Sequence, residues 1–200
     1  MQMCCRVSFA ALLGLLATHA ATAATLFVPT NFPTIQDAVA AASSGDTIVV
    51  APGTYTEQID LLGKSLVLQA SGDANNTIIS GFAAPIIRAS NANNVVLRGF
   101  TLSGIFGGAG AGGAVLSENT SLTVDACTIT SNSVIEGAGA AIYVNGGGLT
   151  LLNSTISNNS ASFVDAAVAG VGAAVSINNA TATITATTFV GNLGTNMGGG

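Results

Sequence analysis

Apolar and polar positions alternate in short bursts along the chain, and the bursts recur. In LTVDACTITSNS (122–133), Leu122 and Val124 are apolar where Thr123 and Asp125 are polar. That is the period-two pattern of a strand with one face turned inward. Val124 and Ile129 both read as interior, yet they lie five positions apart. A corner must therefore fall between them, near Ala126 and Cys127. The stretch LTLLNSTISNNS (149–160) repeats the same rhythm 27 positions later. Going back 27 from Val124 and Ile129 reaches Leu97 and Leu102. Going forward from Leu151 and Ile156 takes 33 and reaches Ile184 and Phe189. A second phrase keeps step: GGAV at 112–115, GAAI at 139–142 and GAAV at 172–175. The extra six residues therefore fall between Asn159 and Gly172.

Each unit holds several short strands and no helical pattern, so like strands stack on like strands. The sequence predicts an all-β fold, a parallel β-helix (solenoid) of about 27-residue coils, in which each coil buries its neighbour's apolar face. Leu97, Val124, Leu151 and Ile184 are expected to form one interior row, and Leu102, Ile129, Ile156 and Phe189 another. Val115, Ile142 and Val175 form a third. Asn132, Asn159 and Asn192 are expected at one corner, with amides able to bond up and down the column, and Gly112, Gly139 and Gly172 at another. Asn and Gly tolerate the left-handed backbone that corners need. One segment breaks the β rhythm. Ile35, Val39 and Ala42 share a helical face, Thr34 and Asp37 suit a first turn, and Gly45 suits a stop, predicting a short helix over 34–43 that covers the first coil. GDTIVVAPGTYTEQI then opens the solenoid, with Pro52 and Gly53 as a turn. The last unit reaches its glycine corner at Gly199 and stops at Gly200, so the chain is expected to be a piece of a longer protein, with its C-terminal strand edges uncovered.

Composition changes this picture in one place. The chain is 49% hydrophobic and only 6% charged, yet no apolar run after the start has membrane-spanning length. The start itself carries Arg6, an apolar run from Val7 to Ala17, and Ala21-Thr22-Ala23. That is a secretory signal peptide over 1–23. The expected organisation is then a strand and capping helix over 24–46 and the incomplete β-helix over 47–200. Cleavage removes His19, Cys4 and Cys5. What remains has nine acids against Lys64, Arg88 and Arg98, a net charge of 3 − 9 = −6. A single remaining cysteine, Cys127, excludes a disulfide framework within the chain. The lack of a basic patch argues against nucleic acid as a partner.

FPTIQDAVAAASSGDTIVVAPGTYTEQI (32–59) resembles the entry segment of right-handed parallel β-helix proteins of the pectin-lyase-like superfamily. The repeats GGAV, GAAIYV, TISNNS and FVGN resemble those of the polymorphic outer-membrane-protein adhesins. Together these cover about residues 30–200. The first resemblance implies the right-handed form of the fold. Between them they span lyases, hydrolases, esterases, epimerases and adhesins, so fold does not decide activity.

The candidate chemistry is sparse. Pectin methylesterase-like enzymes use a Gln-Asp pair, a G-x-x-D-F motif and a later Arg, and neither the pair nor the motif occurs downstream of the entry segment. Neither does a paired aspartate or a Gly-His-Gly. Asp125, the one candidate general base, has Leu152 and Thr185 as column partners and Arg98 below it, and reads as an outer-face residue. Cys127 shares its column with Ser154 and Thr187 and has no histidine to activate it. GAGAGG (108–113) matches a dinucleotide-binding pattern in letters alone, since no helix follows. Tyr55 and Glu57 read as closing the first coil. Five N-x-[ST] sequons begin at Asn75, Asn119, Asn153, Asn158 and Asn179 and follow from the richness in Asn, Ser and Thr. The sequence thus predicts no catalytic, cofactor or metal residues here. It predicts a secreted or cell-surface β-helix, outer-membrane associated in the adhesin case, with a structural or adhesive role toward a polysaccharide or a host or cell-surface ligand. The alternatives are a polysaccharide-active enzyme whose site lies beyond residue 200 and a polysaccharide-binding module.

Overall fold

Left-handed backbone at equivalent positions turns each strand into the next. Gly99, Ala126, Asn153 and Ala186 have φ of 76°, 52°, 48° and 49° at one corner. Ser131, Asn158 and Gly191 have 57°, 54° and 64° at another. These angles come from a computed structural model, which describes residues 22–82, 85–106, 108–109, 112–135, 137–163 and 172–196. Among the described residues, the corners divide each coil among three parallel sheets, of ten, six and four strands. The first includes Thr47–Val50, Val67–Ala70, Val95–Arg98, Val115–Asp125 and Ile142–Leu152. The second stacks Gly53–Thr56, Thr77–Ser80, Thr101–Ser103, Thr128–Thr130, Thr155–Ser157 and Thr188–Val190. The third runs from Gly108–Ala109 through Ser133–Ile135 and Ser160–Phe163 to Leu193–Asn196. The chain is a right-handed parallel β-helix, the sense that crossovers between parallel strands take.

Alternation sorts the side chains. Leu97, Val124, Leu151 and Ile184 align in register in the first sheet. Leu102, Ile129, Ile156 and Phe189 align in the second. In both rows the first three residues are fully buried. Each contributes roughly 1.5–3 kcal/mol by leaving water. Ile184 and Phe189 depart from the expected interior: they keep their column but are 45% and 44% exposed. A solenoid side chain is buried by the coils on both sides of it, and the described residues supply a neighbour on one side only.

Asn132, Asn159 and Asn192 stack at the corner with their amides bonded along the column, as the pattern predicts, but the left-handed bend itself belongs to the residue before each of them. Asn132 donates from Nδ2 to Asn159 Oδ1 at 3.0 Å, and Asn159 donates to Asn192 Oδ1 at 2.9 Å. The same oxygens accept the backbone N–H groups of Asn132 and Asn159. Asn132 and Asn159 are fully buried, so the ladder satisfies polar groups that could not otherwise enter an apolar core. Of the glycines, Gly139 is required by close approach: at φ 66° a Cβ would sit 2.3 Å from the Ile142 carbonyl oxygen.

Helix α1 (Ile35–Ala41) buries Ile35, Ala38 and Val39 over the first coil. It is shorter at both ends than the pattern predicts. Thr34 is the N-cap and accepts from the Asp37 backbone N–H, and Ala42 is already extended with ψ 155°. The first coil holds both ends of the helix. Glu57 accepts from the Ile35 and Gln36 N–H groups at 3.1 and 3.0 Å. Lys64 donates to the Val39 and Ala40 carbonyls at 2.8 and 2.9 Å. Anion at the start and cation at the finish both complement the helix dipole.

Candidate functional site

Five charged residues, Asp60, Arg88, Arg98, Glu118 and Asp125, lie in strands of the first sheet. Ile59 pairs with Ile87 and Asp60 with Arg88. Both isoleucines are buried, so by alternation Asp60 and Arg88 stand side by side facing out. They do not close into an ion pair. The Arg88 guanidinium turns the other way, toward Glu118 on the following coil, at 3.6 Å. Ser90 holds the same Glu118 oxygen at 3.0 Å. One oxygen of Asp60 accepts the Leu62 N–H at 2.8 Å. The backbone of Asp60 is pinned from both sides by the Gln36 side chain of α1. Gln58 reaches the Pro85 carbonyl at 3.5 Å. Gln58, Ile59, Asp60, Pro85 and Arg88 thereby line an open pocket of about 230 Å³. In register the column continues through Leu116, which is buried, to the half-buried Tyr143.

Sequence reasoning missed this pocket. The usable signal was Ile59 and Ile87 as two interior positions, each followed by one of the chain's few charges.

The candidates singled out in the sequence lie elsewhere. Asp125 is on the outer face, where it accepts from Arg98 Nε at 3.1 Å and from Asn153 Nδ2 at 3.0 Å. Both carboxylate oxygens are thus engaged, and its surroundings supply no proton-transfer partner. Cys127 is buried, and burial pushes its thiol up to about 11, so it is protonated and unreactive at neutral pH. Tyr55 donates to the Ala51 carbonyl at 2.9 Å, and Glu57 is committed to α1. The five sequon asparagines are all exposed, and Asn119, Asn153, Asn158 and Asn179 adopt left-handed corner angles. GAGAGG falls partly outside the described residues. Among the described residues, no group of three metal-ligating side chains converges, and no helix is long and apolar enough to cross a membrane.

No family model matches the chain. Over 106 residues, 52% of its length, it is 37% identical to a cell surface glycoprotein of Methanothermus fervidus, a match that spans 16% of that protein. Among solved structures it is similar to a pectin methylesterase variant in complex with a hexasaccharide. That likeness has 17% identity, a TM-score of 0.38, and coverage of 73% of this chain and 55% of the other. The stacked parallel sheets establish the fold, and the sequence match links this chain to part of a protein of the cell surface.

Proposed function

We propose that this chain is a non-catalytic β-helical segment of a surface-exposed protein, acting as a rigid structural or adhesive element. The observation that carries this reading is the 37% identity to a cell surface glycoprotein across half of the chain. The outer face supports it: Thr and Ser take most outward positions of the second sheet, a surface suited to contact and short of reacting groups. Secretion through the 1–23 segment and contact with a polysaccharide or cell-surface ligand belong to the same proposal. Biotinylation of intact producing cells with a membrane-impermeant reagent tests it. Recovery of the protein in the labelled fraction is expected, and recovery in the cytosol alone overturns the reading. Incubated with pectin or alginate, the purified chain is expected to release no unsaturated uronides, reducing ends or methanol. Release of any of these assigns it to the enzymes instead.

A further inference from the structure

The pocket beside α1 has a chemistry that selects a ligand. We propose that it is a subsite for one ring of an uncharged glycan; this rests on the surface reading above. A sugar ring offers hydroxyl groups at its edge and C–H groups on its faces. The pocket offers the counterpart of each. Asp60 has one carboxylate oxygen with no partner among the described residues, an acceptor for a hydroxyl. Arg88 makes no hydrogen bond there beyond its long ion pair, so its N–H groups remain as donors. Ile59 and Pro85 contribute apolar wall. Asp60 and Arg88 are also held in place without a ligand, the first by Leu62 and Gln36 and the second by strand pairing. A pre-positioned pair loses little freedom on binding.

Charge decides which glycan. The Arg88 guanidinium is flanked by two carboxylates, Asp60 beside it on the preceding coil and Glu118, two positions beyond its partner Leu116, on the following one. The row is net negative in a chain that is itself acidic. A polyuronate would add one carboxylate per sugar to that row, and like charges in apposition disfavour binding. Size agrees. At about 230 Å³ the pocket is smaller than the roughly 300–1,000 Å³ of sites that enclose a drug-sized ligand. It therefore holds one ring.

Affinity electrophoresis of the whole chain in gels containing β-glucan, mannan, pectate or alginate tests this. The variants are Asp60→Asn with Arg88→Gln, and Asp125→Asn as a control on the same sheet. Retardation is expected in a neutral glycan and not in pectate or alginate. The double variant is expected to lose about tenfold or more in affinity, as charged hydrogen bonds do, with an unchanged melting temperature, while Asp125→Asn binds as wild type. Equal binding by wild type and double variant overturns the site. Tighter binding to a polyuronate overturns the charge assignment. Failure to bind any of the four, in a protein still recovered from the cell surface, removes this inference and leaves the surface reading standing.

Discussion

Arg98 and Asp125 are 27 residues apart in the chain and 3.1 Å apart in space, from Nε to Oδ2. Their backbones are partners in the first sheet. The pair reports one full coil, because a slip of one residue would drive a charge into the core. It adds little stability itself, since the Arg98 side chain is 47% exposed. Arg98→Met is expected to lower unfolding free energy by about 0.2–1 kcal/mol, read from urea titrations at low salt, and by less at high salt. A loss several times larger would mean that the pair holds the register and does not simply mark it.

The asparagine ladder behaves differently. Replacing Asn159 with Ala removes the acceptor for two N–H groups of Asn132 and the donor to the Ile129 carbonyl, all buried. A loss of about 2–4 kcal/mol is expected, from two or more unsatisfied buried groups. Asn91→Ala, at an exposed corner, serves as the comparison. Equal effects of the two would show that the ladder contributes nothing beyond a corner.

Glycine substitutions separate crowding from backbone preference. Gly147 has φ 79°, and a Cβ there would meet the Thr120 carbonyl oxygen at 2.3 Å; Gly45 has φ 100° and open space. Gly45→Ala is expected to cost about 1–2 kcal/mol, the left-handed penalty alone. Gly147→Ala should cost clearly more by thermal melts. If the two cost the same, the close approach of coils at Gly147 is relieved by a small shift.

Acid should loosen the N-terminal cap. Backbone N–H groups of Ala24 and Ser43 bond to the Asp46 carboxylate and hold it below the usual carboxylate range. A lowered value means the contribution is present above the unfolded-state pKa of about 3.9 and is lost as pH falls through the folded one. Protection of the 24–46 backbone amides, measured against their intrinsic exchange rates, is therefore expected to fall below about pH 3.9 in the wild type. In Asp46→Asn protection should be lower throughout and lack that step. A wild type whose exchange shows no such step would contradict the role given to Asp46.

Cys127 is expected to resist iodoacetamide at neutral pH in the folded chain and to react once the chain is unfolded in urea. Its thiol is pushed up to about 11 chiefly by burial, so stability should also decline as pH rises from the ordinary thiol value toward about 11. Mass spectrometry showing rapid alkylation of the native protein would place the thiol at the surface.

The β-helix is legible in the sequence where coils have equal length. From Leu97 onward the same phrase returns in step, and period-two alternation fixes which residues face inward. Earlier coils hide the repeat. Ile48 pairs with Leu68 and Leu68 with Leu97, and Tyr55 pairs with Ile79 and Ile79 with Leu102. These spacings differ because the turns between strands differ in length, so no single offset finds them. The pocket lies in this irregular part, which is why Asp60 and Arg88 do not announce themselves as neighbours. The amide ladder is legible because Asn132, Asn159 and Asn192 recur in one column, but which residue bends is not: Ser131 and Asn158, one position earlier, carry the left-handed backbone.

The Asn ladder also has a direction. Every amide oxygen accepts from the coil before it, as Asn132 Oδ1 does from Ile105 N and Asn192 Oδ1 from Asn159. The chain of bonds closes only when the spacing between ladder positions absorbs any added residues elsewhere. Between Asn159 and Asn192 the spacing is longer, and the ladder is unbroken across it. For a lineage of such chains this separates two kinds of genetic change. Duplication of a whole coil copies a ladder rung intact, and turn insertions leave it untouched. A single codon gained within 128–134 breaks it. Growth by tandem duplication, with novelty confined to the turns, is the history that this one column of amides permits.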